Sequence, residues 1–288
     1  MTAVFRTDDD TPFDPALVPI SEAATVMLVS DAAASSDGGR AGVEVFMMRR
    51  TKNAVFGGGF YVFPGGRIDP ADRDPEIATV CTGLDDVAAS DRLSVDTGGL
   101  GYWVAAIREC FEEAGVLLAA SPGGEPLRFD EPQVIDRFAG YRHAIHDGTL
   151  RLTELCRVEN LVLTLADVRY VSHWITPPGE RRRFDTRFLV ARAPEAQEPL
   201  HDDGETIASL WIRPADALDQ MRRREWMLMP PTERNLEFLA SFDSAGDVMH
   251  AAAALPSPPA IRPRLRTDDE GRVHLVYADD PGYEALPA

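Results

Sequence analysis

The stretch RECFEEAG, residues 108–115, sets three glutamates, Glu109, Glu112 and Glu113, beside Arg108 and then stops at Gly115. Clustered carboxylate oxygens are suitable ligands for a hard divalent cation such as Mg2+ or Mn2+. A cation held with open positions can neutralise a phosphate anhydride and activate water against it. The competing reading is a solvated acidic face, which is what most charge runs are.

The flanking residues decide what carries the cluster. GYWVAAIRECFEEAGVLL has no proline, and its apolar residues recur at helical spacing. At about 100° per residue, Trp103, Val104, Ile107, Cys110, Phe111 and Ala114 share one arc, and Arg108, Glu109, Glu112 and Glu113 share the opposite one. Gly115 is a natural helix stop, because glycine accepts the left-handed conformation beyond the last turn. Glu109 and Glu113 then stack one turn apart, where like charges cost roughly a few tenths of a kcal/mol. They also lie toward the helix C-terminus, where the dipole disfavours anions. Local stability opposes the arrangement, so something cationic is expected to offset it.

The chain has 288 residues, 44% of them hydrophobic, enough for one large or two small domains with a real core. It carries 47 Asp+Glu against 29 Lys+Arg, a net charge of −18. That argues against nucleic acid and anionic membrane surfaces as partners. An anionic small molecule would need a local basic pocket, and the candidates are RRRFDTR (Arg181, Arg182, Arg183, Arg187) and MMRRTK (Arg49, Arg50, Lys52). On an alternating strand Arg181 and Arg183 share a face. The cysteines, Cys81, Cys110 and Cys156, are widely spaced and fit neither a zinc nor a disulfide pattern, which points to a reducing compartment. No apolar stretch is long enough to span a bilayer, no signal core opens the chain, and EALPA is not a peroxisomal address. The expectation is a cytoplasmic protein with no membrane partner; a homodimer is left open.

Along the chain, AATVMLVSD and VEVFMMRRT read as a hairpin, and NAVFGGGFYVFPGGRIDPADRDPE as a loop around a short strand, FYVF. Residues 75–99 read as an irregular insert with a short helix near DDVAASDRL. Two helices are expected in EPQVIDRFAGYRHAIHDG and LRLTELCRVENL. VRYVSHWITP and FDTRFLVARA read as paired strands, and IASLWIRP as another. Helices follow in PADALDQMRRR and PPTERNLEFLASF, the latter with Thr232 as N-cap, before a terminal hairpin around DDEG. The mixture without strict strand–helix alternation implies an α/β fold with helices packed on a mixed sheet. His143 and His146 share a helical face without a third ligand, and Asp69, Asp72 and Asp74 make only half a calcium loop.

Taken together, FPGGRIDPAD and RECFEEAGV resemble the signature of the Nudix hydrolases, a glycine, five residues, an acid, a spacer, then Arg-Glu-x-x-Glu-Glu-x-Gly. Here Gly66 leads to Asp72, where the family usually has glutamate, and 35 residues separate Asp72 from Arg108, which places an insertion inside the signature. ETIASLW adds Glu205 before Trp211, like the extra glutamate of similar Nudix proteins. The long insert, WITPPGERRRFDTRFLVA, DDGET and MPPT look like the coenzyme A and acyl-coenzyme A diphosphatase branch, over residues 21–243. An arginine close upstream of FPGG, expected for coenzyme A binding, is absent.

The resemblance implies a Nudix-type α/β/α sandwich with a mixed β-sheet. It divides the chain into a tail (1–20), a hydrolase domain (21–243) with insertions near 73–100 and 121–165, and a C-terminal extension (244–288). It implies Mg2+ or Mn2+ on Glu109, Glu112 and Glu113, and catalytic roles for Glu112, Glu205 and Arg108. Arg108 orients Glu109 or pairs with Asp72, and Gly65, Gly66, Arg50, Arg181 and Arg183 are the expected substrate-binding residues. The favoured reaction is hydrolysis of coenzyme A or acyl-coenzyme A to adenosine 3′,5′-bisphosphate and (acyl-)phosphopantetheine. The alternatives are another nucleoside diphosphate derivative, such as a dinucleotide or nucleotide sugar, and a non-catalytic Nudix-fold regulator.

Overall fold

A computed structural model describes residues 14, 17–32, 42–51, 57–199 and 206–287. Lys52 and Glu205 lie outside the described residues. Strand β1 (Ile20–Ala32) and β2 (Gly42–Arg50) form the expected antiparallel hairpin, with Val29 opposite Val45. The FPGG region forms two short strands, β3 (Tyr61–Val62) on β2 and β4 (Gly65–Arg67) on β1. The glycines therefore sit in a strand and not in the loop the sequence suggested, because Gly65 and Gly66 pair with Thr25 and Ala24.

The insertion contains β5 (Cys81–Thr82) and helix α1 (Asp86–Leu93). It leads into α2 (Leu100–Ala114), the acidic helix, and then to β6 (Ala119–Ala120). Helices α3 (Pro132–His146) and α4 (Leu152–Val158) and strand β7 (Val162–Thr164) follow. β5 and β6 both pair with β7, so the two insertions join into one small sheet. Arg157 reaches Glu76 at 2.8 Å across that junction.

β8 (Val168–Ile175) and β9 (Arg183–Arg192) are antiparallel, and β9 runs parallel to β1. β10 (Thr206–Ile212) closes one edge beside β2. Helices α5 (Pro214–Arg222), α6 (Pro230–Leu239) and α7 (Ala245–Ala254) precede β11 (Ala260–Ile261), which pairs parallel with β8 at the other edge. β12 (Arg264–Thr267) and β13 (Val273–Val276) form the terminal hairpin. The main sheet has the order β10-β2-β1-β9-β8-β11 with both parallel and antiparallel pairs. One core, around Trp103, Phe111 and Leu189, lies on its α2 face, and the other, around Met27, Trp174 and Leu236, lies under α6 and α7. This is the α/β arrangement expected, with helices on both faces.

Two details depart from expectation. Thr232 is not the cap of α6; Met229 is, because Pro230 and Pro231 occupy the first helical positions, where no N–H is needed, and Thr232 lies buried behind them. Helix α7 was not foreseen, although Ser244 caps it by accepting from Asp247 N.

The insertion also sets the start of α2. Asp86 accepts from Gly98 N at 3.0 Å and Leu100 N at 2.9 Å. Beyond Gly115, buried Gln197 clamps the chain by accepting from Leu117 N at 2.9 Å and donating to Leu117 O and Leu127 O, both at 3.0 Å. Gln197→Leu should leave these groups unpaired and lower stability by about 1–3 kcal/mol. Urea unfolding checks this, and a loss below about 0.5 kcal/mol would contradict it.

Candidate active site

Helix α2 is buried along nearly its whole length, so its acidic arc is not a solvated surface. Gly115 ends it at φ 71°, and its N–H donates to Phe111 O. The arc packs closely against β4 at Gly66, while Gly65 is crowded by β1. A Cβ on Gly66 would lie 2.3 Å from Glu109 Oε1, and one on Gly65 2.5 Å from Thr25 Oγ1. Gly65 N donates to Glu113 Oε2 at 2.8 Å.

Arg108, only 8% exposed, organises the rest. Its Nε donates to Asp72 Oδ1 at 2.9 Å and its Nη2 to Asp72 Oδ2 at 3.0 Å. Nη2 also donates to Arg67 O at 2.8 Å. Nη1 donates to Glu109 Oε1 at 2.9 Å and Glu112 Oε1 at 3.0 Å. The insertion therefore does not remove Asp72 from the site. A second arginine, Arg142 of α3, donates to the terminal carbonyls of α2, Glu112 O and Glu113 O, both at 2.8 Å. The offset that sequence reasoning sought from an outside cation is thus supplied in part by the protein itself, through Arg108 and Arg142.

The offset is incomplete. Burial, opposed by Arg108, pushes the Glu109 carboxyl up to about 7. Burial likewise pushes Glu112 and Asp72 above the usual carboxylate range against the pull of Arg108. A cluster that holds a proton near neutrality is electrostatically short of positive charge. The donor set, all carboxylate oxygen, fits a hard divalent cation. Among the described residues no three His, Cys, Asp or Glu side chains already converge as a metal cage. Arg108 bonds Glu109 Oε1 and Glu112 Oε1, and Gly65 N–H bonds Glu113 Oε2.

These groups open into a cavity of about 790 Å³. Gly65, Gly66, Arg108 and the three glutamates line it, as does Arg50. Arg181 and Arg183 are not among its described lining residues. Along β9 the alternation turns Phe184, Thr186 and Phe188 to the cavity, and Arg182 joins them. Arg183 instead donates to Thr176 O at 3.1 Å and lines a smaller pocket. Sequence reasoning singled out neither Arg182 nor Arg67 as substrate ligands. Both line the cavity, and neither has a carboxylate partner for its side chain among the described residues. A strand register would have been needed to prefer Arg182. His146 also faces the cavity, its Nδ1 3.8 Å from Glu112 Oε2; His143 is not among the lining residues. Trp211 packs edge-on against Phe46.

A family model described as the NUDT19 Nudix domain matches residues 89–239. The chain is 29% identical to the acyl-coenzyme A diphosphatase NUDT19 of Gallus gallus, over 91% of this chain and 81% of that protein. It is 27% identical to the acyl-coenzyme A diphosphatase NUDT19 of Homo sapiens, over 83% and 72%. Among solved structures it resembles a Nudix hydrolase from Alicyclobacillus acidocaldarius, with a TM-score of 0.64 and 26% identity, covering 84% of this chain and all of that one.

Because the folded-state pKa of Glu109 is raised, the cost of ionising it is absent at low pH and grows as pH rises from the unfolded value through about 7. In chelator-treated protein, Glu109→Gln should therefore raise Tm relative to the parent at pH 8 and leave it nearly unchanged at pH 4.5. A lower Tm at pH 8 than the parent would show that Glu109 is not under strain.

Proposed function

Because this chain belongs to the NUDT19 Nudix domain family, we propose that the Nudix hydrolase it forms cleaves the diphosphate linkage of coenzyme A or an acyl-coenzyme A. The products are adenosine 3′,5′-bisphosphate and 4′-phosphopantetheine or its acyl derivative. One observation carries this reading: the α2 carboxylates, the glycine strand and three arginines, Arg50, Arg67 and Arg182, meet in one cavity. The relatives named as acyl-coenzyme A diphosphatases support the choice of substrate.

Glu109, Glu112 and Glu113 would hold Mg2+ or Mn2+, which when bound neutralises charge on the diphosphate and makes water a better nucleophile. Arg108 orients Glu109 and Glu112 from behind and ties them to Asp72. The glycine strand lets substrate phosphates approach the backbone. Glu112, held by Arg108 Nη1, would orient the attacking water, and Glu205 would serve as general base or additional ligand. Arg50, Arg67 and Arg182 face the substrate's anionic groups, for which the guanidinium fork is suited.

Glu109→Gln and Glu113→Gln should each lower turnover at least a hundredfold while the far-UV circular dichroism stays unchanged. Chelator should abolish parent activity and Mg2+ or Mn2+ should restore it. Turnover within tenfold of the parent for both variants would overturn the assignment. A screen of diphosphate compounds, with products identified by mass, tests the substrate.

The 3′-phosphate of coenzyme A gives a second test. Losing one charged hydrogen-bonded contact costs about 1.5–3 kcal/mol, so the 3′-dephospho form should react roughly ten- to a hundredfold more slowly in kcat/KM. Arg182→Gln should shrink that ratio. Equal parent values for the two compounds, or faster hydrolysis of a dinucleotide or nucleotide sugar, would retire the coenzyme A reading.

A further inference from the structure

The cavity has two chemically distinct walls. The carboxylates reach it from α2, on one face of the main sheet. On the other side it is walled by Phe63, Trp174, Phe188, Met229, Pro263 and Leu275. Phe63, Trp174 and Phe188 belong to the core beneath α6 and α7, to which α2 contributes nothing. Pro263 and Leu275 come from the C-terminal segment. β11 docks that segment by pairing Ile261 with Trp174, and the chain then turns through Pro263 into the terminal hairpin. Tyr277 meets the Trp174 ring edge-on at 6.2 Å, and Leu265 lies 2.9 Å from where a Cβ on Gly179 would sit, against the loop before β9. The segment is thus a wall of the cavity.

A diphosphate alone needs no apolar wall. The geometry points to a subsite for an aliphatic acyl chain, formed by Phe63, Trp174, Phe188, Met229, Pro263 and Leu275, with the C-terminal hairpin as its outer wall. The inference rests on the proposed substrate, whose pantetheine arm separates the cleaved linkage from the thioester and so carries an acyl chain away from the glutamates. The cavity volume of about 790 Å³ suits a ligand larger than a nucleoside diphosphate head group alone. Burial alone pushes the Glu180 carboxyl up, consistent with dry surroundings in the loop over this wall.

Two measurements test the subsite. The first is kcat/KM across coenzyme A and acyl-coenzyme A substrates from acetyl to dodecanoyl. Each methylene leaving water can raise the value by up to about fourfold, so the parent should gain at least tenfold across the series. Leu275→Glu, which charges the wall, and Leu275→Trp, which fills it, should both flatten the series to within threefold, with melting curves confirming that each is folded. The second is calorimetric binding of S-decanoyl-pantetheine, which has no phosphate, to chelator-treated protein. Binding should be measurable in the parent and at least tenfold weaker in both variants. Hydrolysis of all chain lengths at equal efficiency, with no binding of the phosphate-free probe, would overturn the subsite. Binding of the probe without hydrolysis of any coenzyme A species would retire the proposed substrate and leave the apolar subsite supported.

Discussion

The guanidinium of Arg108 lies buried between Asp72, Glu109 and Glu112, and it also holds the carbonyl of Arg67. Removing this guanidinium would cost about 3–5 kcal/mol, because three buried carboxyl groups would be left without their shared partner. This single side chain ties α2 to β4 and to the turn carrying Asp72. It thereby fixes the distance at which the glutamates face Gly65 and Gly66. At Gly66 a Cβ would meet the Glu109 carboxylate, whereas at Gly65 it would meet Thr25 and the Ala24 carbonyl of β1. Both glycines line the cavity beyond.

The long insertion does not disturb this arrangement, for a physical reason. Loop closure becomes only about 0.6 kcal/mol costlier for each doubling of length, so a folded detour between Asp72 and Arg108 is cheap if its own contacts hold it. Those contacts are present. α1 positions the start of α2 through Asp86, and β5 joins the second insertion at β7. The segments 73–100 and 121–165, separate in sequence, hold each other in place and pack against α2.

Much of this was legible in sequence because it follows from period and punctuation. The β1–β2 hairpin, the acidic helix with its glycine stop, the β8–β9 pair and the terminal hairpin all show strong alternation or helical spacing between turn residues. What was misread depended on neighbours distant in sequence. Gly65 and Gly66 read as loop residues because glycine usually breaks strands, but here the backbone pairing to β1 holds them extended. Of the expected arginines, Arg50 lines the cavity while Arg183, at the start of β9, turns to Thr176 O, an outcome that depends on pairing between distant strands. Arg142 acts on α2 from a separate helix, which no local pattern reveals. Helix α7 is rich in alanine and shows little amphipathic contrast, so its helical period was invisible.

The central claim is that the α2 carboxylates, set against the glycine strand, hold a divalent cation for phosphate chemistry. Direct Mn2+ binding tests it without reference to any substrate. Titration of the metal-free protein, following loss of the free Mn2+ signal by electron paramagnetic resonance, should show saturable binding at pH 7.5. Glu113→Gln should weaken that binding by on the order of tenfold or more, as loss of a ligand or its support typically does. Equal Mn2+ affinity in the parent and in Glu113→Gln would contradict the account.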